Sequence, residues 1–161
     1  MSESVSNQFA AVHAQRTAAL RLAAPPAQAF PLFTPIGEKL WTPEWNPQPY
    51  YPPSGEPEVG AVFVTQHQHD PLSVWVIAQY DPAQSLISYA RVTPGATAGL
   101  IQVQCRAEGD GMTLATVTYT LTSLGEAGVQ RLAAFTEGHY RHMMAEWEAA
   151  INACLERAGD Q

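Results

Sequence analysis

The C-terminal part of the sequence places the strongest constraint on the fold. From Glu126 to Arg157, apolar residues recur every three or four positions, which predicts one long amphipathic helix. Segments of alternating apolar and polar residues, separated by turn residues, precede it. A long helix after a series of antiparallel strands indicates a curved sheet that grips the helix, with a pocket between them. The predicted buried stripe of the helix comprises Val129, Leu132, Thr136, Tyr140, Met143, Trp147, Ile151 and Cys154.

The composition excludes several classes of function. The chain has 161 residues, of which 46% are apolar and 14% charged, which is typical of one globular domain. Its net charge is −7 and it has no cluster of Lys and Arg, so binding to nucleic acid or to an anionic membrane surface is not expected. No apolar run approaches the roughly 20 residues of a membrane helix, so no membrane insertion is expected.

The termini and the cysteines indicate a cytoplasmic protein. Residues 1–12 are predicted to be a disordered tail without the features of a signal peptide, followed by one ligand-binding domain over residues 13–158. Cys105 and Cys154 are far apart in the sequence, and we interpret them as buried, reduced thiols.

The N-terminal third combines one strand with two short helices. Residues 13–23 alternate as a strand, and the prolines at 25 and 26 predict a short helix from Pro26 to Phe33. A second short helix is predicted to begin after Thr34, as the capping residue, and to end near Trp41. From Thr42 to Gly60 the six prolines exclude a helix or an interior strand, so this segment is predicted to be an ordered loop or lid.

Five further strands are predicted before the long helix. Turn residues separate them, and such short connections require antiparallel hairpins. The predicted strands are Ala61–Gln68, Ser73–Tyr80, Ser85–Val92, Leu100–Ala107 and Thr113–Leu124.

This order of elements resembles that of the START-like or SRPBCC superfamily. Two local features carry the resemblance: Ala24-Pro25-Pro26 before the first helix and Tyr80-Asp81-Pro82 between central strands. The similarity extends from His13 to Leu155, and residues 33–45 are similar to uncharacterised bacterial members. The resemblance implies an α+β helix-grip fold, in which a curved antiparallel sheet wraps around a long C-terminal helix, with two short helices after the first strand.

The same superfamily contains birch-pollen-allergen-like proteins, lipid-transfer domains and polyketide cyclases, so the resemblance implies a cavity without fixing a reaction. An apolar ligand requires large aromatic walls and a few polar groups. We therefore expect a ligand-binding set, although ordinary core packing also explains several of its members: Trp41, Trp45, Trp75, Tyr89, Tyr119, His139, Tyr140 and Met143.

Three residues are candidates for catalysis. His139, at the margin of the helical stripe, could act as a general acid or base, or simply border the helix. Arg91 shares a strand face with Tyr89 and could hold a ligand carboxylate if that face lines the cavity, or be solvated if it does not. Tyr119 could assist in proton transfer. The alternation in Ser85–Val92 does not identify the inward face.

No cofactor and no metal site are expected. The pairs His67/His69 and His139/His142 do not form a recognised metal motif, and their spacings are common by accident. Known nucleophile and phosphate-binding motifs are also absent from the sequence.

Three functional hypotheses follow. The first is a module that binds a small hydrophobic or amphipathic molecule between the sheet and the C-terminal helix. The second is an enzyme of the polyketide cyclase or dehydratase type that uses His, Arg or Tyr of the cavity. The third is a protein-interaction module. A homodimer is compatible with each of them.

Overall fold

The computed structural model describes residues 10–159 of the chain, so most of the predicted tail lies outside the described residues. Within this range, seven antiparallel strands form one sheet in the order β1-β7-β6-β5-β4-β3-β2. The strands are β1 (His13–Leu22), β2 (Gln48–Tyr51), β3 (Val62–Thr65), β4 (Ser73–Asp81), β5 (Leu86–Thr93), β6 (Thr97–Ala107) and β7 (Thr113–Ser123). The helices are α1 (Pro26–Ala29), two 3₁₀ helices (Phe30–Phe33 and Gly37–Leu40), α2 (Glu126–Ala134) and α3 (Glu137–Gly159).

The predicted hairpins and the α+β class are confirmed. The register of β4 with β5 places Trp75 opposite Arg91, and that of β5 with β6 places Arg91 opposite Gly99. In β7, the apolar side chains are buried and alternate with half-buried ones, as the period of two requires. The sheet register therefore determines which side chains meet on its inner face.

The prediction for residues 42–60 is wrong in one respect. Gln48–Tyr51 forms β2, which pairs antiparallel with β3 and lies at the edge of the sheet. Pro49 is tolerated there because an edge strand needs hydrogen bonds on one side only. Tyr50 and Tyr51 of this strand are 67% and 54% exposed.

The long C-terminal helix is confirmed, but it begins later than predicted, because the segment from Glu126 divides into α2 and α3 with Phe135 and Thr136 between them. The Thr136 side chain is exposed and its Oγ1 accepts a hydrogen bond from His139 N at 3.1 Å, so it caps α3 instead of joining the buried stripe. Arg16 Nε donates to the Phe135 carbonyl at 3.1 Å, which satisfies the end of α2. A threonine followed by Glu137 was the sequence signal for this new start.

Helix α3 is anchored to the end of β1 by two polar side chains. Glu148 Oε1 accepts a hydrogen bond from Arg21 N at 2.8 Å. Asn152 accepts one from Ala23 N at 2.8 Å and donates one to the Arg21 carbonyl at 3.0 Å. These bonds occupy backbone groups of an edge strand and hold α3 across the sheet. None of the helices in residues 10–159 is both long enough and apolar enough to cross a membrane.

Candidate functional site

A cavity of about 190 Å³ lies between the concave face of the sheet and α3. Strands β4 to β7 form its floor, α3 contributes Trp147, and the segment that follows α1 closes one side. Its lining consists of Phe33, Glu38, Thr42, Trp45, Trp75, Tyr89, Arg91, Ile101, Val103, Tyr119 and Trp147.

One wall of the cavity is built from packed aromatic rings. Trp75 stacks on Phe63 with a centroid distance of 5.5 Å and an interplanar angle of 11°. Trp45 and Tyr89 contact Trp75 edge to face at 5.4 and 5.7 Å. The Tyr89 hydroxyl donates to the Phe33 carbonyl at 2.7 Å, so this ring is fixed and presents an apolar surface. Trp45 is held similarly, by a 2.8 Å bond from its Nε1 to the Pro35 carbonyl.

The structure resolves the direction of Arg91, which the sequence left open. Arg91 lines the cavity, and its guanidinium carbon lies 5.3 Å from the centroid of the Trp75 ring and 5.9 Å from that of Tyr119. Its Nε is buried and has no hydrogen-bond partner within residues 10–159. Burial lowers the pKa of the guanidinium; the nearby Tyr119 raises it and Arg131 lowers it further. The side chain is therefore a half-buried cation whose Nε is a buried, unused donor.

Thr42 supplies a second unused polar atom. Its Oγ1 is buried without a hydrogen-bond partner, and no other side-chain oxygen or nitrogen of residues 10–159 shares this state except Arg91 Nε. Both residues line the same cavity. Buried polar groups are nearly always satisfied, so two unsatisfied ones in one cavity require an explanation.

Glu38 is a cavity residue that the sequence analysis missed. It belongs to a 3₁₀ helix of four residues, and its side chain lines the cavity. Burial raises the pKa of its carboxyl group well above the usual 4.5. The sequence gives only a weak signal that Glu38 points inward, a glutamate beside Leu40 and Trp41, because helical periodicity does not apply to such a short turn.

Arg91 and Glu38 both affect the pKa of Tyr119. Its pKa rises to about 12, chiefly because of burial; Arg91 lowers it and Glu38 raises it. Unlike the hydroxyl groups of Tyr89 and Tyr140, its own hydroxyl makes no hydrogen bond among residues 10–159. Glu38, Arg91 and Tyr119 therefore converge on one cavity.

A second recess of about 220 Å³ adjoins the cavity and opens beside α2 and α3. Arg91 and Tyr119 line both spaces, so their side chains separate the inner cavity from this outer recess. His139 and Met143 line the outer recess only, and His139 is exposed, in contrast to the expected position at a buried margin. The recess is completed by Thr97, Leu121, Arg131, Leu132 and Phe135.

Two residues of the predicted ligand-binding set lie outside both spaces. Trp41 packs edge to face on Trp147, and its Nε1 donates to the Leu32 carbonyl at 2.8 Å. Tyr140 is completely buried and its hydroxyl donates to the Val117 carbonyl at 2.6 Å. Both side chains belong to the core behind the cavity, where their polar atoms are satisfied by backbone.

The histidine pairs and the cysteines do not form a site. His67 and His69 are exposed near the surface, and within residues 10–159 no three side chains of His, Cys, Asp or Glu are grouped as metal ligands. Cys105 is buried and burial raises its pKa to about 12, which is typical of a packing thiol. Cys154 is a free, half-buried thiol, less sheltered than expected.

Comparison with known proteins identifies the fold. The structure is similar to norcoclaurine synthase from Thalictrum flavum, with a TM-score of 0.69 and 13% identity over 98% of this chain and 94% of that one. It is also similar to Ara h 8.0201 (TM-score 0.64, 15% identity, 90% and 99% of the two chains). CalU16 from Micromonospora echinospora gives a TM-score of 0.56 at 16% identity over 92% and 90% of the chains. No family model and no curated protein matches the sequence.

The topology and the cavity between the sheet and α3 define a helix-grip fold. The matched structures extend this conclusion: the chain has the fold of the START-like, birch-pollen-allergen-like superfamily. Identities this low show the fold alone, so the activity has to be inferred from the cavity itself.

Proposed function

We propose that the protein binds a small amphipathic molecule with an aromatic ring in the cavity between the sheet and α3. The observation that carries this proposal is the position of Thr42 Oγ1 and Arg91 Nε, two buried polar atoms without partners that line one cavity. A bound molecule with polar atoms at its ends would satisfy both, at a site where water is partly excluded.

The walls support an aromatic ligand. The rings of Trp45, Trp75 and Tyr89 are fixed by edge-to-face contacts, so a ligand ring would meet a preformed surface with little loss of side-chain freedom. Trp147 contributes a further ring from the opposite side. The norcoclaurine synthase structure was determined with dopamine and hydroxybenzaldehyde, which are single-ring molecules, and it has the same fold.

The proposal is tested by ligand retention and by closing the cavity. Native mass spectrometry of the freshly purified protein is compared with its denatured mass, and thermal shift is measured against a panel of single-ring compounds. Val103→Phe extends a lining residue of β6 into the cavity. Leu100→Phe, on the same strand but 49% exposed, is the matched control.

We expect binding by the parent and by Leu100→Phe and its loss in Val103→Phe. Binding that persists in a folded Val103→Phe variant would contradict the proposed location. Absence of binding by the parent protein to any compound, together with no retained ligand, would contradict the function itself.

Proton transfer on a bound carbonyl compound is a second candidate. The convergence of Glu38, Arg91 and Tyr119 favours it, because a carboxyl group whose pKa is raised by burial is a stronger base, while Arg91 and Tyr119 can stabilise an enolate oxygen. The test uses NMR to measure the exchange of the α-protons of a bound aryl ketone for deuterium. Exchange by the parent that Glu38→Gln abolishes would support this activity, whereas equal rates in both proteins would exclude it.

A further inference from the structure

We propose that the ligand is the anion of a single-ring aromatic monocarboxylic acid, whose carboxylate pairs with Arg91 and whose opposite end carries a hydroxyl group near Thr42. This inference rests on the proposed binding function and specifies its ligand class. Three independent features support it: the uncompensated charge of Arg91, the size of the cavity and the position of the second unused polar atom.

The charge of Arg91 has no protein counterion. Arg91 forms no ion pair within residues 10–159, unlike four other arginines: Arg16, Arg21, Arg131 and Arg141. Glu38 lines the same cavity but is not within ion-pair distance, and burial favours its neutral form. A half-buried cation without a counterion is unfavourable, and a carboxylate is the group that a guanidinium binds with two parallel hydrogen bonds.

The surroundings add to the positive potential. Arg131, at the rim of the outer recess, is close enough to lower the pKa of Arg91. Its own partner, Asp70, is 3.8 Å away and more than half exposed, so water screens that pair. The potential at the cavity is therefore locally positive, although the net charge of the chain is −7. This favours binding of an anion at this place.

Cavity size limits the ligand to about one ring. The inner cavity measures about 190 Å³, and a cavity of about 150 Å³ is sufficient for benzene. Sites for drug-sized molecules begin at about 300 Å³. A benzene ring with a carboxylate and one further small substituent fits between these limits.

We assign the hydroxyl end of the ligand to Thr42 and Glu38, which lie on the segment after α1, whereas Arg91 lies on β5. Thr42 Oγ1 has no partner, and the Glu38 carboxyl group, in its neutral form, donates and accepts a hydrogen bond. A ligand hydroxyl suits both groups. A second carboxylate does not, because it would be buried with only one cation in the cavity.

The test is isothermal titration calorimetry of the full chain with four probes. These are 4-hydroxybenzoate, the neutral 4-hydroxybenzamide, the dianion terephthalate and the two-ring 6-hydroxy-2-naphthoate. Arg91→Met removes the charge at similar length, and Arg131→Met, whose side chain is 46% exposed, is the matched control.

We expect 4-hydroxybenzoate to bind at least about tenfold more tightly than the other three probes, as one charged hydrogen bond in a desolvated site predicts. Arg91→Met should abolish the preference for carboxylate over amide and retain binding of the amide. Arg131→Met should reduce carboxylate affinity by no more than about threefold, because a screened rim charge contributes little.

Each alternative outcome has a distinct meaning. Equal affinity for the benzoate and the amide would overturn the anionic ligand and leave the binding function intact. Tighter binding of the naphthoate would overturn the single-ring class, and an equal loss in Arg131→Met and Arg91→Met would overturn direct pairing with Arg91. If no probe binds but apolar compounds still shift the melting temperature, this inference alone is overturned. If no compound binds at all, the proposed function is overturned as well.

Discussion

Arg91 and Trp75 lie directly opposite each other on β5 and β4, and the guanidinium carbon of Arg91 lies 5.3 Å from the centroid of the Trp75 ring. The cross-strand pair places a cation against an aromatic face at the floor of the cavity. This contact offsets part of the cost of burying the charge, but Nε remains without a partner. The pair therefore joins the aromatic wall to the anion-binding end of the site.

In the absence of ligand, Arg91→Met is expected to stabilise the protein. An apolar side chain of similar length removes an uncompensated buried charge, for which we expect a gain of about 1–2 kcal/mol in the free energy of unfolding, measured by urea denaturation. Arg106→Met, at an exposed position of β6, should change it by less than about 0.5 kcal/mol. A clear loss of stability in Arg91→Met would show that Arg91 has a structural role.

Glu38→Gln is expected to alter how stability depends on pH. The pKa of Glu38 is raised by burial in the folded state, so above the usual value of 4.5 the unfolded chain releases a proton that the folded protein retains. The contribution of Glu38 to stability is complete below that value and declines as pH rises towards the folded-state pKa. Relative to Glu38→Gln, the parent should lose up to about 1.4 kcal/mol per pH unit in this window.

Thermal unfolding of both proteins from pH 4 to pH 8 measures this difference. The melting temperature of the parent should fall relative to that of Glu38→Gln as pH increases. A constant difference over the whole range would show that Glu38 titrates normally and is in contact with bulk water.

The fold could be predicted well from the sequence because it depends on patterns that extend over many residues. The alternation in β7 and the apolar stripe of α3 each depend on many residues, so single exceptions do not alter the result. The break at Thr136 was missed because an exposed capping residue occurred at a position that also fitted the stripe. The edge strand around Pro49 was missed because proline excludes only interior strands.

The site was less predictable because it depends on single side chains. Arg91 was proposed from sequence, but its inward direction follows from the register with Trp75 on a strand that is apolar on both faces. Glu38 and Thr42 lie in irregular segments, where no period indicates which side chains point inward. Tyr119 and Tyr140 are both tyrosines on the apolar face of their element, so the sequence does not separate them. Only the hydrogen bond from Tyr140 to the Val117 carbonyl shows that Tyr140 belongs to the core and not to the cavity.

The two tyrosines provide a matched pair of variants. Tyr140→Phe removes a buried 2.6 Å hydrogen bond to the Val117 carbonyl and should cost about 1 kcal/mol of stability in urea denaturation. Tyr119→Phe removes a hydroxyl that makes no hydrogen bond among residues 10–159 and should change stability by less than about 0.5 kcal/mol. Equal losses in the two variants would indicate that the Tyr119 hydroxyl is held as firmly as that of Tyr140.

Two glycines of the C-terminal helices are expected to respond to alanine in opposite directions. A Cβ at Gly128 of α2 would meet the Ala96 carbonyl oxygen, which also accepts a 2.7 Å hydrogen bond from Leu124 N and therefore cannot move freely. Gly128→Ala should displace α2 from the β5–β6 hairpin and cost about 1–3 kcal/mol. At Gly138, in the first turn of α3, a Cβ would meet no neighbouring atom within 4 Å.

Gly138→Ala should therefore stabilise the protein by about 0.5–1 kcal/mol, because alanine loses less backbone freedom than glycine when a helix forms. Urea denaturation of both variants measures the two changes against the parent. Because α2 contributes Arg131 and Leu132 to the outer recess only, the affinity for 4-hydroxybenzoate should change by no more than about threefold in either variant. A neutral Gly128→Ala variant would mean that α2 packs less tightly on the hairpin than the Ala96 contact requires.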